Sequence, residues 1–520
     1  MSSHLSKSPK TSHDSPLEIG VNLLYNQFIM EEIKTRFAPS PTGYIHIGNV
    51  RSAIYPYLIA RQTGGKFILR IEDTDRARYV EGATELIEDT LKWLGLEWDE
   101  GPIVGGPNEP YFQSEREDLY IKWAKKLIKS GRAYLDETAP EIVDGFRKED
   151  NAKKVPFLYR NHRPASADLT PEETLEKWHK GIPLRFKSDP KNYEWRDEVM
   201  GEMKTGPEVC DDIILIKKDG LPTYNFAHIV DDAEMGVTHI ARGVEYLSSM
   251  PNYLALYEAL GLNRPKFLSL PHILAPQGNK KLGKRDGAKS VTEYRDDGIL
   301  PEAMLNYLAC LGWNDGTEQE IYTKEDLISK FSIDRIQNSG ARFDEVKIYW
   351  YNGQWIRKIA DEQGIEALYP RTEGFWPEVA KSEPDEYKVK VLSIIYDRLK
   401  TLSDLKTMTE YFFIDPEIKT EMILGNKFLK KLSEAELIEL LTLTIEHLND
   451  LADWSEENLQ KELNELLKKS GKKPAEYFSL VRIAVSFAPF SPALHQTLSV
   501  LGREKVLARL NATRTALSKD

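Results

Sequence analysis

Cysteine is almost absent from the chain: Cys210 and Cys310 are the only two in 520 residues. Two thiols cannot build a disulfide framework or a four-thiolate zinc site. Both read as core fillers in a reducing, cytoplasmic setting, with a single Cys210–Cys310 disulfide as the alternative. Long apolar runs are missing too, so no segment approaches a membrane span. The opening MSSHLSKSPKTSHDSPLEIG lacks the apolar core of a secretory signal. Ser, Pro, Lys and His dominate it, and residues 1–30 are expected to form a loose N-terminal extension. Excess positive charge is also lacking, since the net charge is -12. That disfavours indiscriminate nucleic-acid binding, yet a local basic surface can still hold a polyanion. The segment at residues 276–290, PQGNKKLGKRDGAKS, is such a surface, with five Lys or Arg against one Asp.

What is present is an ordinary globular composition, 41% hydrophobic and 29% charged, in a chain long enough for several domains. The stretch IKTRFAPSPTGYIHIGN at 33–49 opens as a short strand, then turns where Pro39, Pro41 and Gly43 crowd together. Val50, Ala53, Ile54, Tyr57 and Leu58 then recur at helical spacing, with Pro56 expected to kink that helix or shift its start. KFILRI reads as a buried strand that delivers Glu72, Asp73 and Asp75 at its exit, and a helix follows at roughly 80–94. Strand, loop, helix, strand, helix predicts a parallel α/β unit, whose ligands bind beyond the carboxyl ends of the strands. Strand-like runs return at 211–220 and 237–243, with a helix at 251–261. The last third is amphipathic helix, as in EAELIELLTLTIEHL and ENLQKELNELLKK.

Two loops carry the chemistry. One holds His46 and Gly48 at a helix start; the other, KKLGKR at 280–285, holds Lys281 and Lys284. Backbone N–H groups at a helix start attract phosphate oxygens, and Gly48 lets a ligand approach the backbone closely. Lysines on a Gly-containing loop can follow charge as it moves onto a pyrophosphate leaving group, where one donor is worth roughly 3–4 kcal/mol.

The strings RFAPSPTGYIHIGN, GGKFILRIEDTDR, YFQSER, GLPTYNFAHIVDD, HIARGVEYLSSMP and KKLGKRDGA, with LPEAMLNYLACLGW and SPALHQTLSVLGREKVLARL further on, resemble bacterial-type glutamyl-tRNA synthetases over about residues 33–510. The resemblance implies a class I Rossmann-type parallel sheet, an inserted acceptor-end subdomain and a C-terminal all-helical anticodon-binding module. The expected boundaries are 31–104 and 216–275 for the catalytic halves and 105–215 for the insertion. The signature loop and stem-contact region would occupy 276–350, and the helical module 351–520. It implies ATP-dependent activation of L-glutamate, with Mg2+, and transfer to the terminal adenosine of tRNA(Glu). tRNA is needed for the first step, and the family expectation is a cytoplasmic monomer. Residue by residue, His46 and Gly48 match the first signature, and Lys281, Leu282, Lys284 and Arg285 the second. Arg36, Ala38, Ser40, Glu72, Tyr224 and Arg242 match the amino-acid pocket, and Glu245 matches a position near ATP. In that pocket Arg36 and Arg242 can clamp carboxylates through paired, charge-assisted bonds, with Arg242 on the side-chain carboxylate, Glu72 on the ammonium and the Tyr224 hydroxyl at the side chain. No protein nucleophile is needed, because the substrate carboxylate attacks ATP.

The chain departs from the family's common pattern in several places. Gly283 stands where Ser is common, Asp286 where His is, Val244 for a Glu, and His495 for a Glu. GRAYLDE at 131–137 takes the place of a cysteine-bearing zinc string, so no structural zinc is expected. A non-discriminating enzyme that also charges tRNA(Gln) is the first alternative. Glutaminyl specificity is disfavoured because Arg242 would face a neutral amide. A queuosine-modifying relative is disfavoured by the helical half, and a non-catalytic tRNA scaffold by the intact pocket.

Overall fold

The computed structural model describes residues 32–43, 45–283, 289–488 and 491–518. The expected N-terminal extension and the expected site residues Lys284 and Arg285 lie outside them.

The chain enters as β1 (Lys34–Phe37), α1 (Ile47–Thr63), β2 (Lys66–Leu69) and α2 (Ala83–Trp93). β1 and β2 pair in parallel, and each is buried beyond its first residue, as strands covered on both faces must be. α1 runs unbroken through Pro56 and starts at Ile47, so the proline does not displace its start. Its apolar positions Val50, Ile54 and Leu58 are fully buried. α3 (Glu117–Lys129) then leads into β3 (Ala133–Leu135), α4 (Pro140–Ala152), α5 (Pro171–Lys177), β4 (Leu184–Phe186), β5 (Tyr193–Asp197), β6 (Gly201–Thr205) and β7 (Ile214–Ile216). β3, β4 and β7 make a separate three-stranded sheet, so the strand-like run at 211–220 belongs to the insertion's sheet. β5 and β6, by contrast, extend the main sheet, although they lie within residues 105–215. The alternating burial of YEWRD explains this. Tyr193, Trp195 and Asp197 face inward, and the Asp197 carboxylate accepts from Ser269 N of the neighbouring strand.

The chain returns as α6 (Tyr224–Glu234), β8 (His239–Gly243), α7 (Met250–Leu260), β9 (Lys266–Leu270) and β10 (Ile273–Leu274). The main sheet therefore has the order β2-β1-β8-β9-β5-β6, parallel except for the β5–β6 hairpin. After α8 (Val291–Asp296), α9 (Pro301–Cys310) and α10 (Lys324–Lys330), β11 (Ala341–Arg342) pairs with β10. α11 (Glu345–Gln363) crosses the boundary expected at 350/351 as one unbroken helix.

Three large apolar cores hold the chain, one of them joining Ile68, Ile240 and Phe267 of the main sheet to Leu127, Phe226 and Leu254 of α3, α6 and α7 and to Leu184 of the smaller sheet. The core under α1 continues through Trp313, Trp355 and Ile395 to Leu405. The third core gathers Phe412, Leu441, Leu463, Leu480 and Leu510 among the helices beyond. In it the helix Glu434–Asp450 packs on Arg503–Leu517, and Glu456–Ser470 packs on Leu494–Leu501. Both cysteines are free thiols, so the disulfide alternative is not realised. Among the described residues no helix is long and apolar enough to cross a membrane.

Candidate active site

A cavity of about 890 Å³ opens at the carboxyl ends of β1, β2, β8 and β9. Arg36, Ala38, Ser40, His46, Gly48, Glu72, Tyr224, Arg242, Glu245, Lys281 and Leu282 all line it. These residues come from segments up to 246 positions apart in sequence, between Arg36 and Leu282.

The loops are drawn together by backbone. The segment after β1 runs beside the exit of β2, where Glu72 N donates to Pro39 O at 2.9 Å. His46 caps α1 in an extended conformation, and its carbonyl accepts from Asn49 N and Val50 N. The lysine loop folds back on β10, with Leu282 N donating to Ile273 O at 2.8 Å and Ala275 N to Lys280 O at 2.9 Å. Its far end forms a bridge between Ser290 and His46. The two signature loops therefore meet through main chain. Among the described residues a Cβ added at Gly48 would meet no atom of a neighbouring element within 4 Å, which leaves room over the first turn of α1.

At the nucleotide end, Lys281 Nζ lies 2.8 Å from Glu245 Oε1, and His272 Nδ1 lies 3.6 Å from Glu245 Oε2. Partial burial acts to raise the Glu245 pKa, but Lys281, a backbone N–H and His272 together outweigh it and the net shift is downward. Arg51 adds a buried cation one turn into α1. It donates to the carbonyls of Leu311 and Pro271, and its Nε has no hydrogen-bond partner among the described residues. Among the described residues no three His, Cys, Asp or Glu side chains cluster as a metal cage for the magnesium that the resemblance implies.

At the other end lies a buried ionic network. Arg36 Nε and Nη2 reach the two Asp232 oxygens at 3.1 and 3.3 Å. Arg70, fully buried, reaches Asp232 at 2.7 Å, Glu72 at 3.0 Å and Asp231 at 3.7 Å. Arg116 Nε donates to Asp231 at 2.7 Å. Arg36, Arg70 and Arg116 thus balance Glu72, Asp231 and Asp232, three charges against three. Burial is tolerable here because every charge has a partner. Desolvation still pushes the Glu72 carboxyl up to about 7, against the pull of Arg70 and Arg36. Asp232 goes the other way: burial opposes ionisation, but Arg36 and Arg70 hold its carboxyl below the usual range.

Arg242 stands apart from that balance. It is 8% exposed, and among the described residues no carboxylate pairs with it. His228 Nε2 lies 3.3 Å from its Nη1, Met250 Sδ accepts from its Nη2 at 2.8 Å, and its guanidinium lies over the Tyr253 ring at 4.7 Å. Sequence reasoning put Arg242 on the side-chain carboxylate and offered Arg36 as a second carboxylate clamp. The structure separates them, because Arg36 is already engaged by Asp232. Arg70, Asp231, Asp232 and His228 were missed. Arg70 was visible at a strand exit inside RIEDTD, and the other three in YNFAHIVDD, but nothing in a helical string says which acids turn inward.

The family described as tRNA synthetases class I (E and Q), catalytic domain, matches residues 32–350. The chain belongs to that family. An anticodon-binding domain matches residues 358–514 of this synthetase. A glutamate–tRNA ligase of Clostridium botulinum is 40% identical over 483 residues, covering 92% of this chain and 97% of the relative. One of Clostridium acetobutylicum is 39% identical over 94% of this chain and 99% of its own. Among solved structures, a glutamate tRNA ligase from Elizabethkingia meningosepticum in complex with its amino acid superimposes with a TM-score of 0.83. It has 33% identity and covers 94% of this chain and 100% of that one. The synthetase from Elizabethkingia anophelis gives a TM-score of 0.81 at 33% identity, over 93% of this chain and 100% of that one.

Proposed function

We propose that this synthetase joins L-glutamate to tRNA(Glu), with ATP as the energy source, in the cytoplasm. The observation that carries the substrate assignment is Arg242, a buried cation that no carboxylate among the described residues pairs with. A buried arginine is costly unless paired, so a ligand carboxylate is its natural complement. Glutamate carries two carboxylates and one ammonium, a net charge of minus one. The paired network is neutral and Arg242 adds one positive charge, so substrate and pocket cancel.

In this reading Arg242 takes the side-chain carboxylate, with the Tyr224 hydroxyl beside it. Glu72, ionised, takes the ammonium. Ala38, Ser40 and the remaining donor capacity of Arg36 flank the α-carboxylate. His46 and the open first turn of α1 at Gly48 receive phosphate oxygens. Lys281, with Lys284 and Arg285 further along the loop, tracks charge on the departing pyrophosphate, and Leu282 lines the ATP end of the cavity. Glu245 orients Lys281 next to ATP. An α-carboxylate oxygen attacks the α-phosphorus, the bond to the β-phosphate oxygen breaks, and glutamyl-AMP forms with release of pyrophosphate. A hydroxyl of the terminal adenosine then attacks the acyl carbon and AMP leaves with the electron pair.

The insertion, residues 105–215, would hold the acceptor end. Residues 276–350 would lean on the inner corner of the tRNA, and the helical half would hold the anticodon. The test is acid-precipitable charging with enzyme, ATP, glutamate and purified tRNA(Glu) or tRNA(Gln) in separate reactions. Glutamyl-tRNA(Glu) well above a K284A background is the expected result, and none above it defeats the reading. The tRNA(Gln) reaction decides whether the anticodon half also admits that tRNA.

A further inference from the structure

Arg242 leaves β8 as a buried cation, and the protein groups that hold it carry no charge. His228, on α6, presents Nε2 to Arg242 Nη1 at 3.3 Å. Its other nitrogen, Nδ1, lies 2.7 Å from the Tyr224 carbonyl oxygen. A carbonyl oxygen only accepts, so Nδ1 bears the proton and Nε2 offers a lone pair to the guanidinium. The ring is wedged in place. It stacks on Tyr224 with centroids 4.7 Å apart and meets Tyr253 edge-on at 4.6 Å. Burial and then the adjacent Arg242 push its pKa down to about 3. The other charged groups near it are Asp232 on its own helix and Arg36 on β1, and those two are committed to each other. Tyr224 on α6 and Tyr253 on α7 complete its titratable surroundings. On the far side, Met250 contributes a thioether, also neutral.

Resting on the assignment of glutamate as substrate, we infer that His228 is a specificity-determining positioning residue: it aims Arg242 through an uncharged acceptor and so reserves the guanidinium charge for the substrate's side-chain carboxylate. A carboxylate in the place of Nε2 would aim Arg242 equally well but would neutralise it. Glutamate and glutamine would then compete on similar terms, because selectivity is a difference between two affinities. Holding the arginine with neutral groups keeps an unpaired charge inside the pocket, and only an anionic side chain relieves it.

Three substitutions separate aiming from charge. Gln places an amide oxygen near the position of Nε2, Glu places a carboxylate there, and Leu removes the acceptor while filling the space. The readout is ATP–pyrophosphate exchange by the full chain with tRNA present. It gives KM and kcat for glutamate, kcat/KM for glutamine, and KM for ATP as a control on site integrity. H228Q is expected to keep the glutamate KM within about threefold. H228L should raise it about 10-fold with kcat little changed, since the lost contact acts on binding away from the reacting carboxyl. H228E should raise it about 10- to 100-fold, the range for a hydrogen bond to a charged group, and shrink the preference for glutamate over glutamine by a similar factor. Equal glutamate KM for H228L and H228Q, or an H228E preference equal to that of H228Q, overturns the inference. If H228E does not fold, the H228L against H228Q comparison decides alone. A wild-type chain inactive with glutamate defeats the functional reading instead, so the two failures are distinguishable.

Discussion

Arg242 and Asp232 are both buried, yet removing each should have opposite consequences. Asp232 serves Arg36 and Arg70 together, so D232N takes from Arg36 its carboxylate partner and from Arg70 one of three. The expected loss is about 3–5 kcal/mol of stability, read as a lower midpoint in urea unfolding. Arg242 has no carboxylate to orphan. R242Q should therefore leave the urea midpoint unchanged or raised while cutting kcat/KM for glutamate by about 100-fold or more. A strong destabilisation by R242Q would place Arg242 in the fold's own charge balance instead. Glu72 adds a pH dependence. Its carboxyl sits at about 7 in the folded chain, so it ionises as pH rises through that value. If it must be an anion to hold the ammonium, kcat/KM for glutamate should climb between about pH 6 and pH 8, and E72Q should lose that limb. Stability should move the opposite way. From about pH 4.5 to about pH 7 the folded state keeps a proton that the unfolded state has shed, so Glu72 lowers stability as pH rises across that window.

At the scale of elements, the first turn of α1 separates folding from binding. Gly48 is helical, and among the described residues an added methyl would touch no atom of a neighbouring element within 4 Å. G48A should therefore stabilise the chain by up to about 1 kcal/mol through helix propensity. It should also raise the KM for ATP, because the methyl stands where a phosphate would approach. Thermal unfolding and exchange kinetics on the same preparation check both halves. This element was legible in the sequence, as were β2, β8 and α7, because strong periodicity and adjacent Gly or Pro mark their ends. The β5–β6 hairpin was not. YEWRD and GEMKT alternate like many edge strands, and nothing local says that Asp197 reaches a strand some seventy residues later, as the bond to Ser269 shows. The meeting of the two signature loops was expected from their roles, but its mechanism, the Ser290–His46 bridge, is a long-range backbone contact that no local pattern encodes. The neutral hold on Arg242 was invisible for the same reason, since His228, Met250 and Tyr253 come from two helices. Lys284 and Arg285 lie outside the described residues.

For the whole molecule, the separate core of the distal helices predicts an unfolding event of its own. Two cores share the main sheet, one of them running on to Leu405, and a third gathers the helices after it. Calorimetry should resolve more than one transition, and glutamate with ATP should raise only the one that carries the sheet. Saturation at 100 times the dissociation constant is worth about 2.7 kcal/mol to the state that binds. A single transition that shifts as a unit would show that the cores melt as one.

The unbroken α11 has a mechanical consequence. Arg342, three residues before it, grips the carbonyls of Ala275, Pro276 and Gly278, which form the root of the lysine loop. The helix then carries on for 19 residues, about 28 Å at its usual rise, into the second half of the chain. A stiff rod pinned at one end to a hinge transmits every change of its tilt to that hinge, so the root of the loop and the beginning of the distal half share one frame of reference.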